Sequence, residues 1–238
     1  MKVDLVASCK FWLPVAFLYP IGSLLWPLFF PTIISCPWPP PDLKKKQNNT
    51  VILAGSFNPP HLGHFSMLNY LAQRHEKVIC VVGCNPNKKY DVQPEDRARL
   101  LRTMFAAADL PDIEVQVVTT YIWRYAKTRQ CSIMYRGIRS WEKDGKEERA
   151  LHILNTWGPL VLGPTWPIPS HYLEGKPEYN HISSSLIRNF LMSDEGNERR
   201  SSVRAEIIKL VPASIVDDTI RLYAPKTGTG TCNPQQRI

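Results

Sequence analysis

The chain has 238 residues, 44% of them hydrophobic, enough for one domain with a packed core plus extensions. Its formal charge of +8 is mostly peripheral: residues 1–49 carry +3 and residues 225–238 carry +2, which leaves +3 on residues 50–224. That surplus suits a pocket for phosphorylated small molecules and argues against a broad nucleic-acid face. The six cysteines (9, 36, 80, 84, 131 and 232) show no CxxC or Cys/His ligand spacing, so they read as reduced core thiols with no structural metal.

Phe11 to Pro41 contains no charged residue, and the 26 residues from Phe11 to Cys36 exceed the ~20 apolar residues that span a bilayer. Lys10 precedes the run, and Lys44, Lys45 and Lys46 follow it. Pro14, Pro20, Pro27 and Pro31 argue against one straight helix, although membrane helices tolerate proline better than soluble ones. Residues 1–41 are therefore expected to form a hydrophobic segment that anchors the protein to a membrane through residues 11–36. The lysines after it would put the remaining chain in the cytoplasm. A targeting segment, an unstructured extension and a soluble cytoplasmic protein are the alternatives. Residues 42–49 have the composition of a linker, the folded domain is expected over 50–224, and the tail at 225–238 reads as disordered.

Within 50–224, apolar runs alternate with helical patterns. Val51–Ala54 and Lys77–Cys84 read as buried strands, Ile113–Val118 and Cys131–Tyr135 as further strands. Between them, Gly63–His75 places Phe65, Leu68, Leu71 and Ala72 on one helical stripe. Pro94, Glu95 and Asp96 open a helix carrying Ala98, Leu101, Phe105 and Ala108. Alternation at this spacing predicts a parallel α/β sheet with right-handed crossovers, covered on both faces. Ligands of such sheets bind at the carboxyl ends of the strands.

Four polar motifs fall at such ends. In VILAGSFNPPHLGHF (51–65) a strand runs through Gly55, Ser56 and Phe57 into a helix start, where free N–H groups, Gly63 and the pair His61 and His64 can face an anion. NPNKK (85–89) puts two lysines after the second strand, within reach of a triphosphate or merely solvated. YRGIR (135–139) presents two guanidinium forks matched to phosphate oxygens, unless Arg136 pairs with an acid on the next helix. HISSSLIR (181–188) is a serine-rich helix start that caps its own backbone and also makes a phosphate seat. The Pro-, Gly- and Trp-rich stretch from Gly158 to Tyr179 reads as an insertion near the substrate mouth.

GSFNPPHLGH resembles the T/H-x-G-H signature of the nucleotidyltransferase superfamily. NPNKK, the RGIR of 136–139 and the ISSSLIR of 182–188 are similar to motifs of phosphopantetheine adenylyltransferases. The resemblance implies a doubly wound, Rossmann-like parallel sheet and adenylyl transfer from ATP to 4′-phosphopantetheine, giving dephospho-coenzyme A and pyrophosphate. By the same resemblance, His64, Lys88 and Arg136 are catalytic, and Ser56, Lys88 and Arg136 bind the acceptor. Gly55, Ser56, Phe57, His61, Gly63, His64, Arg139, Glu148, Ser183, Ser184, Ser185 and Arg188 bind ATP. Mg²⁺ enters with ATP, and no side chain is assigned as a metal ligand. One residue inserted after Arg139, and Gly145 within WEKDGKEERALHILN (141–155), depart from the family pattern. Nicotinamide-mononucleotide adenylyltransferase is the second reading, and a cytidylyltransferase, whose RTxG-x-STT element is missing, the third. A membrane-tethered nucleotide-binding module without catalysis is the reading from another class.

Overall fold

A computed structural model of the chain describes residues 22, 32–35, 45–84, 90–192 and 200–225. Its strands are β1 (Thr32–Ser35), β2 (Gln47–Gly55), β3 (His75–Gly83), β4 (Ile113–Val118), β5 (Ile133–Ile138) and β6 (Ser170–Glu174). The helices are α1 (Leu62–Ala72), α2 (Pro94–Ala107), α3 (Ile122–Thr128), α4 (Trp141–Leu162), α5 (Ser184–Met192), α6 (Arg200–Ile207) and α7 (Val216–Tyr223).

The strands form one sheet in the order β1-β6-β5-β2-β3-β4, with every neighbouring pair parallel. From β2 the chain moves outward through β3 to β4, then returns to the other side of β2 as β5. The strand order therefore reverses between β2 and β5, and the crevice at their carboxyl ends is where a parallel α/β sheet takes its ligand.

Alternation along the strands explains the two-sided core. Val51, Leu53, Val78, Cys80 and Val82 pack with Leu68, Leu71, Leu101, Phe105 and Val216 on one face. Ile52, Ala54, Ile79 and Val81 pack with Trp123, Ala126 and Ile168 on the other. With both faces covered, the Val51–Ala54 part of β2 is an unbroken apolar run, Val51 to Leu53 being at most 1% exposed.

Several expectations are corrected here. The membrane segment expected at 11–36 contributes Thr32–Ser35 to the sheet edge, in register from Thr32 with His171 to Ser35 with Glu174. The open edge of β6 offers backbone partners to an apolar run held nearby, and hydrophobicity alone does not separate a buried strand from a membrane segment. Among the described residues no helix is long and apolar enough to cross a membrane. The other residues of 1–41 except Gly22, the run at 85–89 that includes Lys88, and the tail from 226 lie outside the described residues. The linker expected to run to Asn49 gives its last three residues to β2, with the Gln47 amide donating to Arg74 O at 2.7 Å.

The insertion expected at 158–179 is mostly regular structure. Helix α4 runs through Gly158 and Pro159 to Leu162, and β6 follows at Ser170. Gly158 and Gly163 make room for an indole: a Cβ on Gly158 would lie 2.8 Å from Trp123 Nε1, and one on Gly163 2.7 Å from Trp123 Cη2. Gly145 serves in the same way, with the Trp141 ring 2.9 Å from where its Cβ would be. The helix therefore starts at Trp141 despite the departure from the family pattern, capped by Ser140 Oγ, which accepts from the Lys143 amide at 3.4 Å.

Candidate active site

A cleft of about 260 Å³ lies over the carboxyl ends of β2 and β5. One wall is Ser56 at the end of β2, with His61, Gly63 and His64 at the start of α1. Gly137, Ile138 and Arg139 at the end of β5, with Asp144 and Glu148 of α4, form the second. Tyr179, Asn180, Ser183 and Ser184 close it from the start of α5. The first turns of α1 and α5 thus both border one crevice, an arrangement that favours anions.

The two histidines are stacked, with ring centroids 3.7 Å apart, and the ring of Phe57 meets His64 edge-on at 4.8 Å. Burial, then the neighbouring His64 and Arg139 charges, hold His61 well below its ordinary range. Burial alone lowers His64 to about 3, though part of its surface still faces the cleft. Both imidazoles are therefore neutral at pH 7, each with a buried Nδ1 that has no partner among the described residues.

The glycines of these motifs make room for neighbouring side chains. A Cβ on Gly63 would lie 3.0 Å from His61 Cε1, and one on Gly55 3.0 Å from Phe57 Cζ. A Cβ on Gly137 would lie 2.8 Å from Met67 Sδ. Phe57 itself has φ 46°, a left-handed conformation costing a non-glycine residue roughly 1–3 kcal/mol, and its ring is buried beneath Gly55. Gly55 and Phe57 thus shape the strand end without lining the cleft. The Leu62 amide is already engaged by Leu210 O at 3.0 Å, which leaves the Gly63 and His64 amides as the α1 donors nearest the cleft.

Arg136, expected among the catalytic and acceptor-binding residues, does not line the cleft. Its Nε and Nη2 donate to the two Glu148 carboxylate oxygens at 2.9 and 2.7 Å, and Nη1 donates to Ala54 O at 2.9 Å. A carboxylate two turns into α4 is at bidentate distance, so the fork is taken internally. Burial opposes the charge on Arg136, but the pair with Glu148 wins and raises its pKa. Glu148 lines the cleft with both oxygens already accepting. Arg139 is likewise tied to Asp144 through its amide at 2.7 Å and Nη2 at 2.5 Å. Burial raises the Asp144 carboxyl, but the Arg139 contacts outweigh it and leave it lowered.

The serines divide their work. Ser183 Oγ caps α5 by accepting from the Leu186 amide at 3.1 Å, and Ser184 Oγ donates to Pro59 O at 2.8 Å. Arg188 donates to Asn58 O and, at 3.2 Å, to Ser185 Oγ, while Tyr223 OH donates to Asn58 Oδ1 at 2.7 Å. Ser185 and Arg188 therefore hold the 57–60 turn from behind, and Ser183 and Ser184 face the cleft.

Sequence reading missed Asp144, Tyr179, Asn180 and the buried Arg97. Arg97 had a legible signal: it falls on the helical stripe of Leu101 and Phe105, four and eight residues on, where a charge is out of place. Its Nη1 donates to Ser56 O at 2.5 Å.

A family model described as cytidylyltransferase-like matches residues 52–190, more than half of the chain. The chain belongs to the cytidylyltransferase-like family. The matched span runs from β2 through most of α5, so it contains every described element that borders the cleft. Curated relatives include the phosphopantetheine adenylyltransferase of Picosynechococcus sp., 28% identical over 173 residues that cover 72% of this chain and 86% of the relative. The enzyme of the same name from Gloeothece citriformis is 27% identical over 174 residues, covering 73% of this chain and 98% of the relative. These names agree with the resemblance carried by the motifs. Among solved structures, Plasmodium falciparum nicotinic acid mononucleotide adenylyltransferase complexed with NaAD covers 74% of this chain and 96% of that one, at 16% identity and a TM-score of 0.48.

Proposed function

We propose that the chain transfers the adenylyl group of ATP to 4′-phosphopantetheine, giving dephospho-coenzyme A and pyrophosphate. One observation carries the reading: two neutral, stacked histidines at the start of α1 face the start of α5 across a cleft at the point where strand order reverses. The names of the curated relatives select the acceptor.

A phosphate oxygen of the acceptor attacks the α-phosphorus of ATP, forming the new P–O bond as the bond to the β-phosphate oxygen breaks, and the electron pair leaves with pyrophosphate. No covalent enzyme intermediate is required. Such transfers are accelerated by positioning and by donors aimed at the developing charge. A neutral imidazole keeps an N–H to donate, and His64 supplies it to an α-phosphate oxygen. The first-turn amides of α1 and α5 and the Ser183 hydroxyl seat the remaining phosphates, while Ser184, its proton given to Pro59 O, fixes the neighbouring turn. Lys88, outside the described residues, keeps the phosphate-binding role that its motif implies. Arg136 acts by holding Glu148 and the Ala54 carbonyl, and so the shared ends of β2 and β5.

Mg²⁺ arrives with ATP as part of the substrate. Asp144 and Glu148 are turned to arginines, and among the described residues no cluster of three His, Cys, Asp or Glu is arranged to hold an ion. Incubating the purified chain with MgATP and 4′-phosphopantetheine should yield dephospho-coenzyme A and pyrophosphate in equal amounts by mass spectrometry. Pyrophosphate formed only with nicotinamide mononucleotide would overturn the assignment.

A further inference from the structure

Arg97, in the first turn of α2, is 0% exposed, yet no carboxylate pairs with it among the described residues. Its guanidinium lies over the Tyr90 ring, 4.4 Å from the centroid, and Nη1 donates to Ser56 O. Nε and Nη2 are buried with no partner among the described residues. The neighbouring acid Asp96 is instead taken by Arg99 at 2.6 Å. A buried cation without a counter-charge is costly, and an apolar side chain of similar volume is often as stable or more so. Fold stability therefore gives no reason for an arginine here.

The position does give one. Ser56 is exposed, lines the cleft, and is followed directly by the left-handed turn at Phe57. We infer that Arg97 is a positioning residue for the nucleotide triphosphate: it fixes the Ser56 carbonyl so that the Ser56 amide and hydroxyl face the cleft, and it puts a fixed positive charge behind that wall. Tyr90 holds the guanidinium plane from the other side, so that only the fork of an arginine reaches Ser56 O. The anionic ligand supplies the counter-charge that Arg97 lacks among the described residues. The inference rests on the reading of the cleft as a nucleotide site and is independent of the acceptor.

The test is calorimetric binding of a non-hydrolysable MgATP analogue to the full chain. Arg97→Met should weaken binding by about tenfold or more, the loss of one charge-assisted contact, while the melting temperature of the free protein is unchanged or raised. Arg99→Gln, on the exposed side of the same turn, should leave binding unchanged. Should Arg97→Met not fold, Arg97→Lys, which keeps the charge but not the fork, carries the same binding expectations. Binding within twofold of wild type in the folded variant overturns the inference. A wild-type chain that does not bind the analogue overturns the nucleotide site itself.

Discussion

At the scale of single residues, the site depends on imidazoles kept neutral. If His64 serves by donating a hydrogen bond to charge that develops on the α-phosphate, its loss shows in turnover. His64→Ala should lower kcat by about 10²-fold or more with little change in the KM for ATP. A change confined to KM would mean that the ring only binds nucleotide. Because burial takes His64 down to about 3, the kcat–pH profile should lack a limb near the ordinary histidine value of 6.5. Stability should follow the same shift. Above pH 6.5 His64, and His75 at about 4, are neutral in the folded and unfolded chains alike. Below it the unfolded chain takes up protons that the folded chain refuses, so stability is lost as pH falls from 6.5 towards 4. Melting curves across that window should fall more steeply for wild type than for His64→Gln, and equal slopes would contradict the lowered value. The Arg136–Glu148 pair makes a separate prediction. Glu148→Gln leaves Arg136 without its counter-charge at side-chain exposures of 21% and 11%, and should cost of the order of 3–5 kcal/mol in denaturant unfolding.

At the scale of elements, the parts visible in the sequence were those whose local pattern matches their environment. Val51–Ala54 and the stripe of α2 are apolar at the spacing of the structure they adopt, and Pro94, Glu95 and Asp96 mark the start of α2. The two strands that were missed lack such a pattern. β6 is five residues long with only Tyr172 and Leu173 buried, and β1 is four residues inside a longer apolar run. Both owe their existence to partners far along the chain, which propensity does not record. The glycines were legible as small residues, but which ring each admits was not: Gly63 faces His61 only because α1 begins there. The strand β1 carries its own prediction. A chain starting at residue 32 keeps the edge strand, whereas one starting at residue 46 bares the edge of β6. The shorter chain should melt several degrees lower, since about 1 kcal/mol shifts the melting temperature by roughly 2–4 °C in a domain this size. Identical melting temperatures would show that β1 adds nothing to the domain.

At the scale of the whole molecule, the sheet accounts for why motifs from distant parts of the chain act together. The reversal of strand order brings the end of β2, the end of β5 and the starts of α1 and α5 to one crevice, and the 57–60 turn is clasped there by Ser184, Arg188 and Tyr223. The modest charge of residues 50–224 agrees with the scale of the proposed ligand, since Arg139 in the cleft is paired with Asp144 and the proposed phosphate seat is made of amides, a hydroxyl and imidazoles. The acceptor is the part of the account that most needs measurement. The decisive one is the ratio of kcat/KM for 4′-phosphopantetheine to that for nicotinamide mononucleotide, with MgATP fixed and the same preparation of full-length chain. The account predicts a ratio of at least about 10², the selectivity of a site whose buried polar groups are matched to one acceptor. A ratio below one would contradict it.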